Sequence, residues 1–193
     1  MNTSVTKPSN RRKSIQDFVT EAFEILAEGG TADALTIDGL CSRLGVSKGS
    51  FYWHFKGRGP LIDALVDAWS GNFHVAIHRA IKAQTAGNGR TVIEEISHYW
   101  LSSNMSRLDQ VMRHWAQHDE GVYKAVCRAD ELLLNFLKSN IETLAYSEEE
   151  AHRRARLMMA IGIAEPLLTH LPKAGADDKE LQWILDRVLG LKK

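Results

Sequence analysis

Apolar residues recur at three- and four-residue spacing through almost the whole chain, and this period constrains the fold more than any other feature. It makes one face of each segment apolar, as in a helix; a half-buried strand needs strict alternation, and no segment alternates convincingly. Only four prolines interrupt the 193 residues: Pro8, Pro60, Pro166 and Pro172. The expected fold is therefore all-α, with about nine helices. A hydrophobic content of 44% is enough for a real core, and the length suits one domain or one plus a small module. No apolar run approaches the roughly 20 residues that a membrane helix needs. The polar, basic start MNTSVTKPSNRRKS lacks the apolar segment of a secretory signal. Cys41 and Cys127 lie far apart in helical contexts and read as reduced, buried thiols of a cytoplasmic protein.

Capping residues divide the chain. Ser14, with Asp17 three residues on, opens a first helix carrying Ile15, Phe18, Val19, Ala22 and Leu26, which Gly29-Gly30 stops. Thr36 caps a short second helix whose buried side is Ile37, Leu40, Cys41 and Leu44. LGVS then makes a four-residue turn, and Ser47 caps a third helix, which is the connection length of a helix-turn-helix. Pro60 suits the first position of a long fourth helix of some 25 residues, a rod of roughly 38 Å. Thr91 with Glu94 reads as the next capping box, followed by helices over 108–118, 122–144, 148–171 and 178–189. Ser147 with Glu150, and Asp177 with Glu180, look like further caps. This gives a flexible basic arm over 1–13, a helix-turn-helix domain over 14–58 and a C-terminal helical domain over 59–193.

The third helix begins with the most informative stretch, SKGSFYWHF (47–55). At 100° per residue, Phe51 and Phe55 share a face and must pack on the first two helices. Gly49 and Trp53 point the opposite way, flanked by Ser50 and Tyr52. That outward face is small, flat and hydrogen-bonding, with no Leu, Ile or Val. Such a face suits the major groove, which admits one helix and offers donors, acceptors and thymine methyls to short side chains. Lys48 can reach a base edge or a phosphate, and Lys56 and Arg58 follow where phosphates flank the groove. Thr36 and Ser47 aim hydroxyls and helix N-terminal amides at the backbone. An ordinary buried aromatic helix explains Phe51 and Phe55 but leaves Ser50, Tyr52, Trp53 and the basic run without a role. His54 flanks the Phe face, and both a half-buried structural role and a phosphate contact stay open for it. The formal net charge is zero, yet residues 39–58 carry only basic charge, and distribution matters more than the sum.

The run LTIDGLCSRLGVSKGSFYWHFKGRGPLIDAL (35–65) resembles the DNA-binding module of the TetR family of bacterial transcription regulators. The matching features are the Thr start, the apolar pair Leu40 and Cys41, LGVS, YWHF, Lys56, a basic residue at 58 and Leu61. The resemblance covers about residues 14–66. It departs at Cys41, where alanine is usual, and at GRGP, where the family commonly has a lysine-acidic run. It implies contacts to double-stranded DNA by Ser47, Lys48, Gly49, Ser50, Tyr52, Trp53, His54 and Lys56, with Thr36 at a phosphate and Arg58 beside the usual phosphate position. It also implies a C-terminal domain that binds an effector and forms a homodimer through the last two long helices. The protein that this resemblance implies is a repressor expected to release a palindromic operator when a small apolar or aromatic ligand binds.

The C-terminal sequence is compatible with that expectation. Ala155, Met158, Met159, Gly162 and Ile163 put small and flexible residues along one helix, and Leu181, Ile184, Leu185 and Val188 stripe the last; these are the expected dimerisation residues. Intramolecular packing would use the same residues. Trp69, Phe73, Trp100, Met112, Trp115, His118 and Tyr123 are the expected ligand contacts, although aromatics at helical spacing also serve as plain core. His74 with His78, and His114 with His118, have metal-ligand spacing but no third ligand at a matching interval, so no metal or other cofactor is expected. No nucleophile triad, phosphate loop or spaced acid pair suggests an enzyme. Two rival readings remain: a TetR-like protein with a filled core, governed by a protein partner or by nothing, and a helical interaction protein that does not bind DNA.

Overall fold

The computed structural model describes residues 12–29, 31–168 and 178–190. The arm over 1–11, Gly30, the end of the 148–171 helix and the Asp177 cap lie outside the described residues. Among the described residues there are ten α-helices, two single 3-10 turns and no strand, so the all-α expectation holds.

The N-terminal module forms where its caps are. α1 (Ile15–Gly29) starts where the Asp17 carboxylate accepts from the Ser14 amide at 2.6 Å and the Asp17 amide donates back to Ser14 Oγ. After a 3-10 turn (Ala32–Ala34), Thr36 Oγ1 accepts from the Gly39 amide and opens α2 (Ile37–Leu44). α2 closes on Gly45, whose φ of 65° is left-handed, with Gly45 and Val46 amides donating to Ser42 and Cys41 carbonyls. This paired C-terminal closure needs a residue without a Cβ penalty. Ser47 Oγ then accepts from the Ser50 amide and opens α3 (Lys48–His54).

The predicted 25-residue rod is two helices, α4 (Arg58–Trp69) and α5 (Asn72–Gln84). The apolar stripe continues across the break and hides it. At the break Ser70 Oγ donates to the Asp67 carbonyl, and Gly71 takes φ −160° and ψ −83°, outside the helical region. A Ser-Gly pair is a recognised site of sharp helix interruption. α4 also starts two residues before Pro60, with Gly57 at its N-cap, so Pro60 occupies the third helical position, where its missing N–H would be unpaired in any case.

Asn88, not Thr91, caps α6 (Gly89–Ser102), its Oδ1 accepting from the Thr91 amide at 3.1 Å. α7 (Met105–Trp115) and α8 (Glu120–Glu142, capped by Asp119) each begin a turn or less before their first expected residue. α9 (Glu148–Ala164) opens at the expected Ser147 cap. It gives way at Ala164 to a 3-10 turn (Glu165–Leu167), because Pro166 lacks an N–H and disfavours helix in the residue before it. α10 is Asp178–Val188.

Two apolar cores result. The first joins α1–α4 to α7 and the start of α8, through Phe18, Leu26, Phe51, Leu65, Trp69, Leu108 and Met112 among others. Core packing therefore crosses the expected boundary at residue 58. The second joins α6, the end of α8, α9 and α10. In the second, α6 starts hard against α8: a Cβ on Gly89 would collide with Thr143 Oγ1 and the Asn140 carbonyl. Gly89→Ala should lower the unfolding free energy by about 1–3 kcal/mol, the usual cost of overpacking, as read by urea titration. A wild-type midpoint in that variant would contradict this close approach.

Candidate nucleic-acid interface

Two rings anchor α3. Phe51 is fully buried and Phe55 nearly so, and both meet Phe18 of α1 edge-on at centroid distances of 5.9 and 5.8 Å. On the opposite side Tyr52 is 48% exposed and Trp53 62% exposed. Large rings left exposed on a helix this well anchored are available to a partner. Gly49 is exposed, and a Cβ there would meet only Ser47 Oγ, at 3.5 Å. The backbone is therefore approachable from outside.

The charged rim is partly engaged within the module. Lys48 Nζ lies 2.6 Å from Asp38, both largely exposed, and Asp38 holds the ammonium above its ordinary pKa. An exposed pair of this kind is worth little and exchanges readily for another anion. Arg58 donates to the Ala32 carbonyl at 3.2 Å and reaches that of Leu35 at 3.5 Å, tying the 3-10 turn to α4. Thr36, Lys48, Tyr52 and Arg58 line one shallow cleft where the starts of α2, α3 and α4 meet. Thr36, Ser47 and Lys56 are exposed, and Ser50 is half-buried.

His54 is half-buried, with Nε2 2.8 Å from the Lys13 carbonyl and its ring 5.3 Å from Phe18. It ties the segment before α1 to the end of α3. Arg12 then lies over the Trp53 ring, 3.7 Å from its centroid, a cation–π contact. The sequence pattern marks Arg12 only as part of a basic arm; no spacing rule places it on Trp53.

The model of the bacterial regulatory proteins of the tetR family matches residues 18–65, which is this module. These residues resemble that family's module, and the rest of the chain lies outside the match. A tetracycline repressor of class A from Escherichia coli is 39% identical to this chain over 56 residues, 29% of this chain and 26% of that protein. The chain thus matches about a quarter of that repressor's length. The regulator SrpR of Pseudomonas putida is 20% identical over 168 residues, covering 86% of this chain and 77% of its own. A TetR transcriptional regulator from Legionella pneumophila has the same fold, with a TM-score of 0.72 at 16% identity over 95% of this chain and 100% of the other.

In the C-terminal body the expected ligand residues scatter. Trp69 and Met112 are fully buried in the first core, with Phe73 stacked on Trp69. Trp115 packs against the same core, while His118 and Tyr123 are exposed. Only Trp100 lines the apolar pocket that does exist, which lies among α6, α8, α9 and α10. The helical period shows that aromatics share a face without showing whether that face meets a cavity or another helix. Trp100 is fixed there by Nε1 donating to the Gly162 carbonyl at 3.1 Å. The pocket also receives His74, Asp109, Arg113 and Asp130; a charged pair four apart on an otherwise core-facing α7 was the overlooked signal. The His74 and His78 rings are 6.4 Å apart, and burial pushes both pKa values down to about 4. His114 and His118 are both exposed, their rings 5.8 Å apart.

The expected dimer residues are buried to different degrees. Ala155, Leu181, Leu185 and Val188 are buried within the chain, and Met158, Met159, Gly162, Ile163 and Ile184 are half-buried along the pocket. The outward apolar residues of α9 and α10 are Leu157, 50% exposed, and Trp183, 60% exposed.

Phe51→Ala should cost about 3–5 kcal/mol of stability. Trp53→Ala should stay within about 0.5 kcal/mol of wild type, the range for exposed positions. Thermal denaturation followed by circular dichroism separates the two, and equal losses would mean that α3 is anchored differently.

Proposed function

We propose that this chain is a dimeric, DNA-binding transcription regulator, and a repressor that lets go of a palindromic operator when a small apolar ligand enters its C-terminal body. The observation that carries the reading is the pairing of a buried Phe51–Phe55 anchor with the exposed Tyr52 and Trp53 face of α3, which the half-buried Ser50 flanks. A helix held this way can enter the major groove with its outward residues at base edges, while Lys48, Lys56 and the hydroxyls of Thr36 and Ser47 meet phosphates. His54 serves as a positioning residue, since its ring nitrogen is engaged with the Lys13 carbonyl. Repression is supported by the name of the tetracycline repressor that shares the module. The site of action is the cytoplasm, in keeping with the absence, among the described residues, of any helix able to cross a membrane.

Ligand control is favoured over a filled core governed by a protein partner because the pocket exists and shares α7 with the DNA-binding module. Leu108, Val111 and Met112 of α7 belong to the core that includes α1, while Asp109 and Arg113 reach the pocket. A ligand that moves α7 would move α1. To take the DNA-competent population from 99:1 to 1:99, it needs about 5.5 kcal/mol of preference for the other state.

In a mobility-shift assay on the DNA flanking its own gene, Tyr52→Ala and Trp53→Ala should each abolish specific binding with the fold intact. Lys56→Ala should weaken binding on every sequence alike and flatten the salt slope by about one. Failure to retard any flanking fragment at low salt counts against the whole reading.

The dimer face falls on the outward side of the last two helices. Leu157→Glu combined with Trp183→Glu should convert a dimer to a monomer in sedimentation velocity without loss of helicity. A double variant that still sediments as a dimer would place the interface elsewhere.

A further inference from the structure

The pocket carries a chemical preference that its apolar lining does not reveal. At its inner end Arg113 Nε donates to Asp109 at 2.6 Å, and its two terminal nitrogens donate to the two oxygens of Asp130 at 3.0 and 2.6 Å. One guanidinium thus serves two carboxylates. A third carboxylate, Glu165, lines the same pocket. Among the described residues three acids face one base, in a space otherwise formed by side chains such as Trp100, Leu133, Met158 and Met159.

His74 sharpens the point. It is only 6% exposed and lines the pocket, and its Nε2 has no hydrogen-bond partner. A buried polar atom left in this condition calls for an explanation. Burial keeps the imidazole neutral, with a pKa of about 4, so it adds no positive charge. With its proton on Nδ1, a neutral ring presents Nε2 as an acceptor. The pocket therefore offers an unfilled acceptor beside an excess of negative charge. Among the described residues its one lining cation, Arg113, is already saturated by carboxylates, which disfavours an anionic ligand.

Size narrows the class. The cavity volume is about 80 Å³, below the roughly 150 Å³ of an engineered apolar cavity that binds benzene. A single ring with a short arm therefore enters as the adaptable Met158 and Met159 side chains move aside. Trp100 and the paired methionines suit such a body: an indole attracts a cation, and methionine adapts to irregular shapes.

We propose that the pocket takes a compact organic cation, an aromatic amine in its ammonium form, with the ring among Trp100, Met158 and Met159 and the ammonium directed at Asp109 and His74 Nε2. This rests on the pocket being the effector site.

The test uses the full-length chain and three probes of one shape: benzylammonium, benzyl alcohol and benzoate, titrated by calorimetry near neutral pH. Benzylammonium should bind about tenfold more tightly than the alcohol, the order left to a partly buried charge pair after desolvation. Benzoate should bind weakest. Asp109→Asn should remove the tenfold preference and leave the alcohol unchanged; Glu165→Gln, on the half-buried side of the pocket, repeats the comparison if Asp109→Asn melts early. His74→Phe should weaken both hydrogen-bonding probes. Equal or tighter binding of the alcohol or benzoate, saturable binding by none of the three, or a preference that survives both carboxylate variants would overturn the assignment. A parallel mobility shift keeps the two readings apart. Benzylammonium that binds without releasing DNA defeats ligand control but not the ligand class. Release by the neutral or anionic probe alone defeats the class but not the control.

Discussion

Trp69 fills the joint on which the rest of the structure depends. It is fully buried at the last position of α4, with Phe23 of α1 on one side, Phe73 stacked on it and His74 edge-on at 4.7 Å. A large aromatic in such a place contributes on the order of several kcal/mol through burial and ring packing. Its neighbours belong to different tasks: Phe23 lies on the same helix as Phe18, the anchor of α3, and His74 lines the pocket. The DNA-facing module and the body thus share one close-packed core with no hinge of solvent between them. Close-packed interiors transmit displacement because they have few voids to absorb it.

The N-terminal module was legible because every decision in it is local. Ser14, Thr36 and Ser47 each accept the amide predicted for a cap, Gly45 takes the one conformation that a side chain would resist, and Phe51 and Phe55 fall on one face by spacing alone. His54 was not legible, since its partner is a backbone carbonyl 41 residues away. The body resisted for the same kind of reason. The stripe through Leu65, Trp69, Phe73 and Ile77 keeps its period across Ser70-Gly71, so hydrophobicity masks the interruption and only the Ser-Gly pair betrays it. Whether Trp69 or Trp100 meets a cavity depends on which helices lie opposite, which no single helix encodes. The stripe of α10 through Leu181 and Leu185 was correctly apolar, but period alone does not say whether the facing helix belongs to the same chain or to another.

A formal charge of zero gains a physical meaning from the contacts. Much of the acidic complement is committed to local pairs: Arg43 holds Glu21 and Glu28, Arg90 bridges Glu94 and Asp186, and Arg113 gathers Asp109 and Asp130. The first of these lies between α1 and α2 and spends two acids of the module on its own scaffold. Such pairs mute the long-range field of both partners, Arg43 and Lys48 included, so the basic field of residues 39–58 rests mainly on Lys56 and Arg58.

The interruption at Ser70-Gly71 has a mechanical meaning. A continuous helix conveys twist along its whole length through its hydrogen-bond ladder. Two shorter rods of 12 and 13 residues, about 18 and 20 Å long at 1.5 Å per residue, behave as an articulated linkage. The backbone ladder no longer joins the two rods directly, and Trp69 at the end of the first packs on Phe73 and His74 at the start of the second, so side-chain packing, not the backbone ladder, couples them.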